Sequence, residues 1–139
     1  MKNLIFVFVF GFLACSGRPG PKDVVFNFIR AVYDSDSTKI VDMLDVDAYT
    51  RMHMVDMSSE DSAAVLAEYR VKTIQSLLND GEKRAFWLKS QILVNKEHIK
   101  DDFAEVDVSF IDKNTNVLLY TKIQLKKQPD GSWKIVYFK

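Results

Sequence analysis

Two stretches decide the fold: Val106-Asp107-Val108-Ser109-Phe110 and, shortly after, Val117-Leu118-Leu119-Tyr120-Thr121-Lys122-Ile123-Gln124-Leu125-Lys126. In the first, apolar side chains alternate with polar ones. In the second, Val117, Leu119, Ile123 and Leu125 share one phase, while Tyr120, Lys122, Gln124 and Lys126 share the other. A period of two sends the two sets to opposite sides of a pleated strand, so both segments read as strands with one wet face. Turn chemistry separates the strands at Lys100-Asp101-Asp102, Asn114-Thr115-Asn116 and Pro129-Asp130-Gly131. Connections this short favour antiparallel neighbours. The strand region is expected to open at Phe86 and to close with Trp133 to Phe138, a segment bulky on both sides and therefore expected to be covered on both faces.

Upstream the period changes. After Pro21, a good first-turn residue, Val25, Phe28, Ile29 and Val32 recur at spacings of three and four, which predicts an amphipathic helix to about Tyr33. Asp34-Ser35-Asp36-Ser37 breaks it and caps a second short helix carrying Ile40, Val41 and Leu44. A third helix is expected from Ser58 or Ser59 to Gly81, with Ala63, Leu66, Ala67, Ile74, Leu77 and Leu78 on one stripe. Helices first and a meander of strands afterwards predict an α+β domain, with the helices packed on one face of an antiparallel sheet.

The N-terminus reads differently. Lys2 precedes the uncharged run Leu4 to Ala14, LIFVFVFGFLA. Eleven helical residues at about 1.5 Å each are too short for a hydrocarbon core that needs roughly twenty, so the pattern is that of a secretory signal peptide. The one cysteine of the chain follows immediately. The stretch Gly11-Phe12-Leu13-Ala14-Cys15-Ser16-Gly17 resembles the lipobox of bacterial lipoproteins, in which the signal is cut before Cys and the thiol carries a diacylglycerol. Phe12 stands where that family usually has Leu, and Leu13 where it prefers a smaller residue. The resemblance implies residues 1–14 as signal, Cys15 as the lipidated mature N-terminus, residues 15–22 as a Gly/Pro/Ser-rich tether, and 23–139 as one domain. Ser16 rather than Asp after the cysteine resembles lipoproteins passed to an outer membrane, so the expected place is the bacterial cell envelope, at the outer membrane facing the periplasm.

The whole chain has 139 residues, 47% of them apolar, and its 19 Lys and Arg balance 19 Asp and Glu. This is the composition of an ordinary globular domain. A zero net charge leaves no basic excess to neutralise phosphates, which argues against nucleic acid as a partner. There is no Gly-rich phosphate loop to support nucleotide binding.

A second resemblance runs through Pro21-Lys22-Asp23-Val24-Val25, Phe28-Ile29-Arg30-Ala31-Val32-Tyr33, the break at Asp34-Ser35-Asp36, Lys122-Ile123-Gln124-Leu125-Lys126-Lys127 and Asp130-Gly131-Ser132-Trp133-Lys134-Ile135. These segments look like small bacterial lipoproteins of unknown function in the nuclear transport factor 2-like superfamily. The resemblance implies a cone, a strongly curved antiparallel sheet folded around the first helix. Members of that family commonly have Gly where Ser35 stands here.

That superfamily includes ketosteroid isomerases and dehydratases, which place Asp, Tyr or His within the cone, so ionisable residues facing inward matter. His98, in phase with Ile92 and Val94, is expected on an apolar face, as a cavity residue or a rim histidine. Tyr49, His53 and Asp56 stand at helical spacing in a connector, although no nucleophile motif accompanies them and a solvated helix face explains them as well. Met52-His53-Met54-Val55-Asp56-Met57 is the one soft-metal cluster, in copper(I) ligand chemistry, but methionine is also adaptable core filler. Neither a catalytic residue nor a metal ligand is assigned, and no cofactor is expected. Phe28, Tyr33, Tyr69, Trp87, His98, Phe110 and Trp133 are candidate pocket-lining residues, with Phe86 and Tyr120 among the further aromatics. Aromatics of this kind are also ordinary core. Leu118, Tyr120, Lys122, Gln124 and Lys126 on the wet sheet face suit solvent or a homodimer contact.

The expected function is therefore a lipid-anchored, non-enzymatic module that binds a small apolar ligand or a protein partner through its cone or sheet face. An isomerase or dehydratase with a cavity base, and a copper carrier, are the alternatives.

Overall fold

A computed structural model describes residues 17–54 and 62–139 of the chain. The signal segment and Cys15 lie outside the described residues, as do Asp56 and the expected start of the third helix at Ser58 or Ser59. Helices α1 (Pro21–Tyr33), α2 (Ser37–Met43), α3 (Val46–His53), α4 (Ser62–Ser76) and α5 (Glu82–Lys89) precede strands β1 (Ser90–Lys100), β2 (Phe103–Asp112), β3 (Leu118–Lys127) and β4 (Trp133–Tyr137). The strands form one antiparallel sheet in the order β1-β2-β3-β4. The α+β class and the helices-on-sheet arrangement are as the sequence predicts.

Helix α1 is the centre of the core. Pro21 occupies its first turn, and Val24, Val25, Phe28, Ile29 and Val32 are buried along one face. Each such large apolar side chain contributes about 2 kcal/mol when removed from water. The helix ends in a Schellman arrangement, with Asp36 N–H donating to the Ala31 carbonyl (2.9 Å) and Ser35 N–H to that of Val32 (3.1 Å). This requires Ser35 in the left-handed region, at φ 56°. The strain is offset by Asn79, whose N–H donates to Ser35 Oγ at 2.7 Å and whose Oδ1 accepts the Ser35 hydroxyl at 3.3 Å. Position 35 is thus a left-handed one, which glycine adopts most readily and which a serine with a side-chain partner also satisfies.

Two helices go beyond what periodicity predicts. Helix α3 is opened by Asp45, whose Oδ1 accepts the Ala48 N–H at 3.0 Å. Helix α5 overturns the expectation of strand from Phe86: residues 86–89 complete a helix, and extended structure begins at Ser90. In α4, Leu66 and Ile74 are half-buried and Leu77, just beyond it, is fully buried, while Ala63, Ala67 and Tyr69 of the same helix are exposed.

On the core side of the sheet, Ala104, Val106, Val108 and Phe110 of β2 pair with Leu125, Ile123, Thr121 and Leu119 of β3. Two irregularities modify the ladder. Val94 pairs with Val108 but Glu97 with Val106, so β1 carries one extra residue; Gln124 pairs with Tyr137 but Leu125 with Ile135, so β4 carries another at Val136. Such bulges bend a strand and increase its twist. The edge strand β4 is tied to the helices through the Asp45 N–H, which donates to the Ile135 carbonyl at 2.8 Å. Its expected cover on both faces holds only at Ile135 and, beyond the strand, Phe138; Trp133, Val136 and Tyr137 are half-buried, since among the described residues no further strand pairs beyond β4. Val117 precedes β3 and is exposed, so β3 begins one residue later than the alternation implies.

Candidate functional site

The interior under the sheet is built from aromatic rings. Phe28 of α1 meets Trp87 of α5 (5.9 Å between centroids, 78° between planes) and Phe138 (5.6 Å, 64°), both edge-to-face. Trp87 also meets Phe110 at 5.8 Å and Phe138 at 5.8 Å. These offset and edge-on geometries are the favourable ones for ring quadrupoles. Phe28, Trp87 and Phe110 are all buried, so they are core residues that pack against one another. Phe86 lies against Phe110 from the outside and is more than a third exposed. Tyr33 is half-buried, its hydroxyl 3.2 Å from the Trp87 carbonyl and 3.4 Å from that of Ser90, and burial raises its pKa.

His98 stands apart from this interior. The extra residue between Val94 and Glu97 reverses the phase of β1, so Glu97 and Ile99 follow Ile92 and Val94 on the core side. His98 consequently opposes Glu105 on the outer face and lies 3.5 Å from Asp107 with 64% of its side chain exposed. Glu97 instead reaches the start of α1, where its Oε2 accepts the Lys22 N–H at 2.9 Å, a carboxylate at the positive end of a helix.

Tyr49 and His53 do come together, their rings tilted by 33° with centroids 4.2 Å apart, and the Tyr137 ring stacks with the imidazole at 5.0 Å. His53 Nδ1–H donates to the Tyr49 carbonyl at 2.8 Å, one turn earlier. Burial, with a smaller contribution from Tyr137, pushes the Tyr49 phenol up to about 12, so it stays neutral at ordinary pH. Asp56, the third member of the expected cluster, lies outside the described residues, as do Val55 and Met57 of the methionine-rich segment. Met52 is half exposed. Among the described residues no group of three or more His, Cys, Asp or Glu is placed to hold a metal ion.

Two concave surfaces among the described residues stand out. The first is the outer face of the sheet, where Leu93 of β1, Ile111 of β2 and Leu118 and Tyr120 of β3 line a shallow concavity rimmed by Lys96, Lys122 and Asp107. Tyr120 is 74% exposed, and Leu93 and Leu118 are each more than 40% exposed. The second is a cleft of about 730 Å³ between α1, α2 and the turn into β4, where Arg18, Arg30, Asp34, Asp42, Trp133 and Lys134 contribute to the wall. The volume is within the range of ordinary ligand sites. Trp133 is the one expected pocket residue that lines this cleft. Periodicity does not point to the rest, because the cleft gathers them from four separate segments. The one local signal is Arg30 and Asp34, four apart on the wet face of α1.

No protein-family model matches this chain, and no curated protein does. Solved structures do. A Campylobacter jejuni protein provisionally named an NTF2-like transpeptidase is similar over 87% of this chain and 100% of its own, at 16% identity and a TM-score of 0.51. A Shewanella frigidimarina protein provisionally named a ketosteroid isomerase is similar over 83% of this chain and 89% of its own, at 20% identity and a TM-score of 0.51. At these identities the likeness is one of fold: the chain has the nuclear transport factor 2-like fold, on which both enzymes and binding proteins are built.

Proposed function

We propose that the chain is a lipid-anchored, non-enzymatic interaction module of the bacterial cell envelope, joined to the membrane through Cys15 and meeting a protein partner through the outer face of its sheet. The observation that carries the contact is the exposure of Leu93, Leu118 and Tyr120 together on one concave surface. Contiguous apolar surface with a polar rim is characteristic of protein contact sites. Facing that surface with a second copy of the chain gives the homodimer; a different protein gives a heteromeric assembly. The anchor is supported by the lipobox-like stretch at Gly11 to Gly17 and by the tether that follows it. No helix among the described residues is long and apolar enough to cross a membrane. The isomerase and dehydratase reading with His98 as base has less support, since His98 faces outward.

A photo-crosslinking amino acid at Tyr120, in the full chain expressed in a bacterial host, tests the contact. The expected product is a discrete crosslinked band, its mass telling a second copy from another protein. Leu118→Glu should abolish the band while leaving the thermal midpoint in place. If crosslinks from Tyr120 are absent or diffuse, the sheet face is not an interface. Intact-mass measurement of the protein from membranes tests the anchor: the expected mass begins at Cys15 and includes acyl chains, and an unmodified N-terminus overturns it.

A further inference from the structure

We infer that the cleft between α1, α2 and the β3–β4 turn takes a zwitterionic phospholipid headgroup, bearing a phosphate and a primary ammonium, from the bilayer to which Cys15 is joined. The inference rests on the anchored reading above and adds a ligand and an orientation to it.

The charges of the cleft come in both signs and are left over. Lys39 is spent on Asp36 at 3.0 Å, and Asp130 accepts both the N–H and the hydroxyl of Ser132, at 2.9 and 2.6 Å. The remaining wall offers three cations, Arg18, Arg30 and Lys134, and two carboxylates, Asp34 and Asp42. Among the described residues none of these five forms an ion pair. A simple anion would answer the cations and be repelled by the carboxylates; a zwitterion answers both. Arg30 and Lys134 supply N–H donors to phosphate oxygens, while Asp34 and Asp42 accept N–H donors from a primary ammonium. A quaternary ammonium has no N–H to give. Trp133, half-buried in the same wall, suits the boundary between headgroup and acyl chain, where indole rings concentrate.

The tether fixes the depth. The Arg18 guanidinium lies against Gly131, near enough that a side-chain carbon on that glycine would meet it. The Asp130 carboxyl is held below its ordinary value chiefly by the hydrogen bonds from Ser132, with a smaller contribution from the Arg18 charge. Arg18 is itself part of the cleft wall. It stands three positions after Cys15, with Ser16 and Gly17 between, a span of at most about 11 Å even fully extended. An acylated Cys15 therefore holds the mouth of the cleft at the level of the headgroups.

The test uses the acylated full chain. In detergent, glycerophosphoethanolamine, glycerophosphocholine and glycerophosphoglycerol are titrated by calorimetry. The ethanolamine compound is expected to bind about tenfold more tightly than either of the others, a difference of about 1.4 kcal/mol. Arg30→Gln and Asp42→Asn, both at exposed positions, should each weaken it several-fold with the thermal midpoint unchanged. In vesicles, tryptophan emission should shift to the blue with phosphatidylethanolamine and not with phosphatidylcholine, and Trp133→Phe should remove the shift. Equal binding of the three compounds, no binding, or indifference to both substitutions overturns the inference. Binding of the free compound without any vesicle difference overturns the membrane source and leaves a soluble phosphoethanolamine site. Should the mass of the native protein show Cys15 unmodified, the anchor reading fails by itself, and the titration still decides the chemistry of the cleft.

Discussion

Arg84 and Tyr33 close each other's helices. The Arg84 guanidinium, on α5, donates from Nη2 to the Tyr33 carbonyl at 2.8 Å and from Nε to the Val32 carbonyl at 2.9 Å, satisfying the last turn of α1. The Tyr33 hydroxyl in turn points at the carbonyls of Trp87 and Ser90, where α5 gives way to β1. Unpaired carbonyls at a helix end need such partners, and a cation there also complements the helix dipole.

Arg84→Ala should therefore destabilise the domain by about 2 kcal/mol, the range for charge-assisted hydrogen bonds to partly buried backbone. Arg84→Lys should recover only part of this, because an ammonium cannot reproduce the planar fork that spans two adjacent carbonyls. Urea denaturation of the two variants measures both. Equal stability of Arg84→Lys and the parent chain would show that charge alone suffices.

At Ser35 the expected order of stability is unusual. Ser35→Ala keeps the left-handed backbone and loses the bonds to Asn79, while Ser35→Gly loses the same bonds and relieves the strain. The glycine variant should exceed the alanine variant by about 1 kcal/mol. Thermal melts of the pair compare them directly, and the reverse order would contradict the Schellman geometry.

Tyr49 gives an alkaline signature. Its phenol titrates near 12 in the folded chain, against about 10 in an unfolded one. The folded state then holds its proton more tightly, so the stability associated with the neutral phenol is complete below pH 10 and is lost as pH rises toward and through 12. At 3% exposure solvent screening is slight, and the loss should be on the order of 2 to 3 kcal/mol. Tyr49→Phe should flatten this part of the curve. Some slope will remain from Tyr33, which is shifted in the same direction.

Gly81 is needed for closeness rather than for conformation. Its φ of −59° suits any residue, but a side-chain carbon there would collide with the backbone of Gln75 and Ser76 at the end of α4. Gly81→Ala should cost about 2 kcal/mol or more by forcing the two helices apart. Denaturant midpoints read the loss, and loss of hydrogen-exchange protection should concentrate in residues 74–85.

Much of this architecture is legible in the sequence where one period runs unbroken. Val106, Val108 and Phe110 identify β2, and Val25, Phe28, Ile29 and Val32 identify α1, because in each case a single face is buried throughout. Helix α5 is hidden because Ala85, Phe86, Trp87 and Leu88 are consecutive, which erases any contrast between faces. Helix α3 has a signal in Asp45, but at eight residues it is too short for its few apolar positions to establish a period. His98 is misplaced by counting in twos along β1, since nothing in Asn95-Lys96 announces an extra residue; there the Asn95 amide donates to the buried Ser109 hydroxyl at 2.7 Å. The cleft is illegible for a different reason. Its charges become neighbours only after the helical hairpin folds back beside β4.

The extra residues in β1 and β4 also bear on how such a chain can drift. Replacing one side chain with another leaves the tally of residues intact, and shared architecture at 16 to 20% identity fits wide freedom of that kind. Gaining or losing a single position between Val94 and Glu97, or beside Val136, would swap inside for outside along the remainder of the strand. Lineages with this shape should consequently keep spacing at these two places long after the letters themselves have changed.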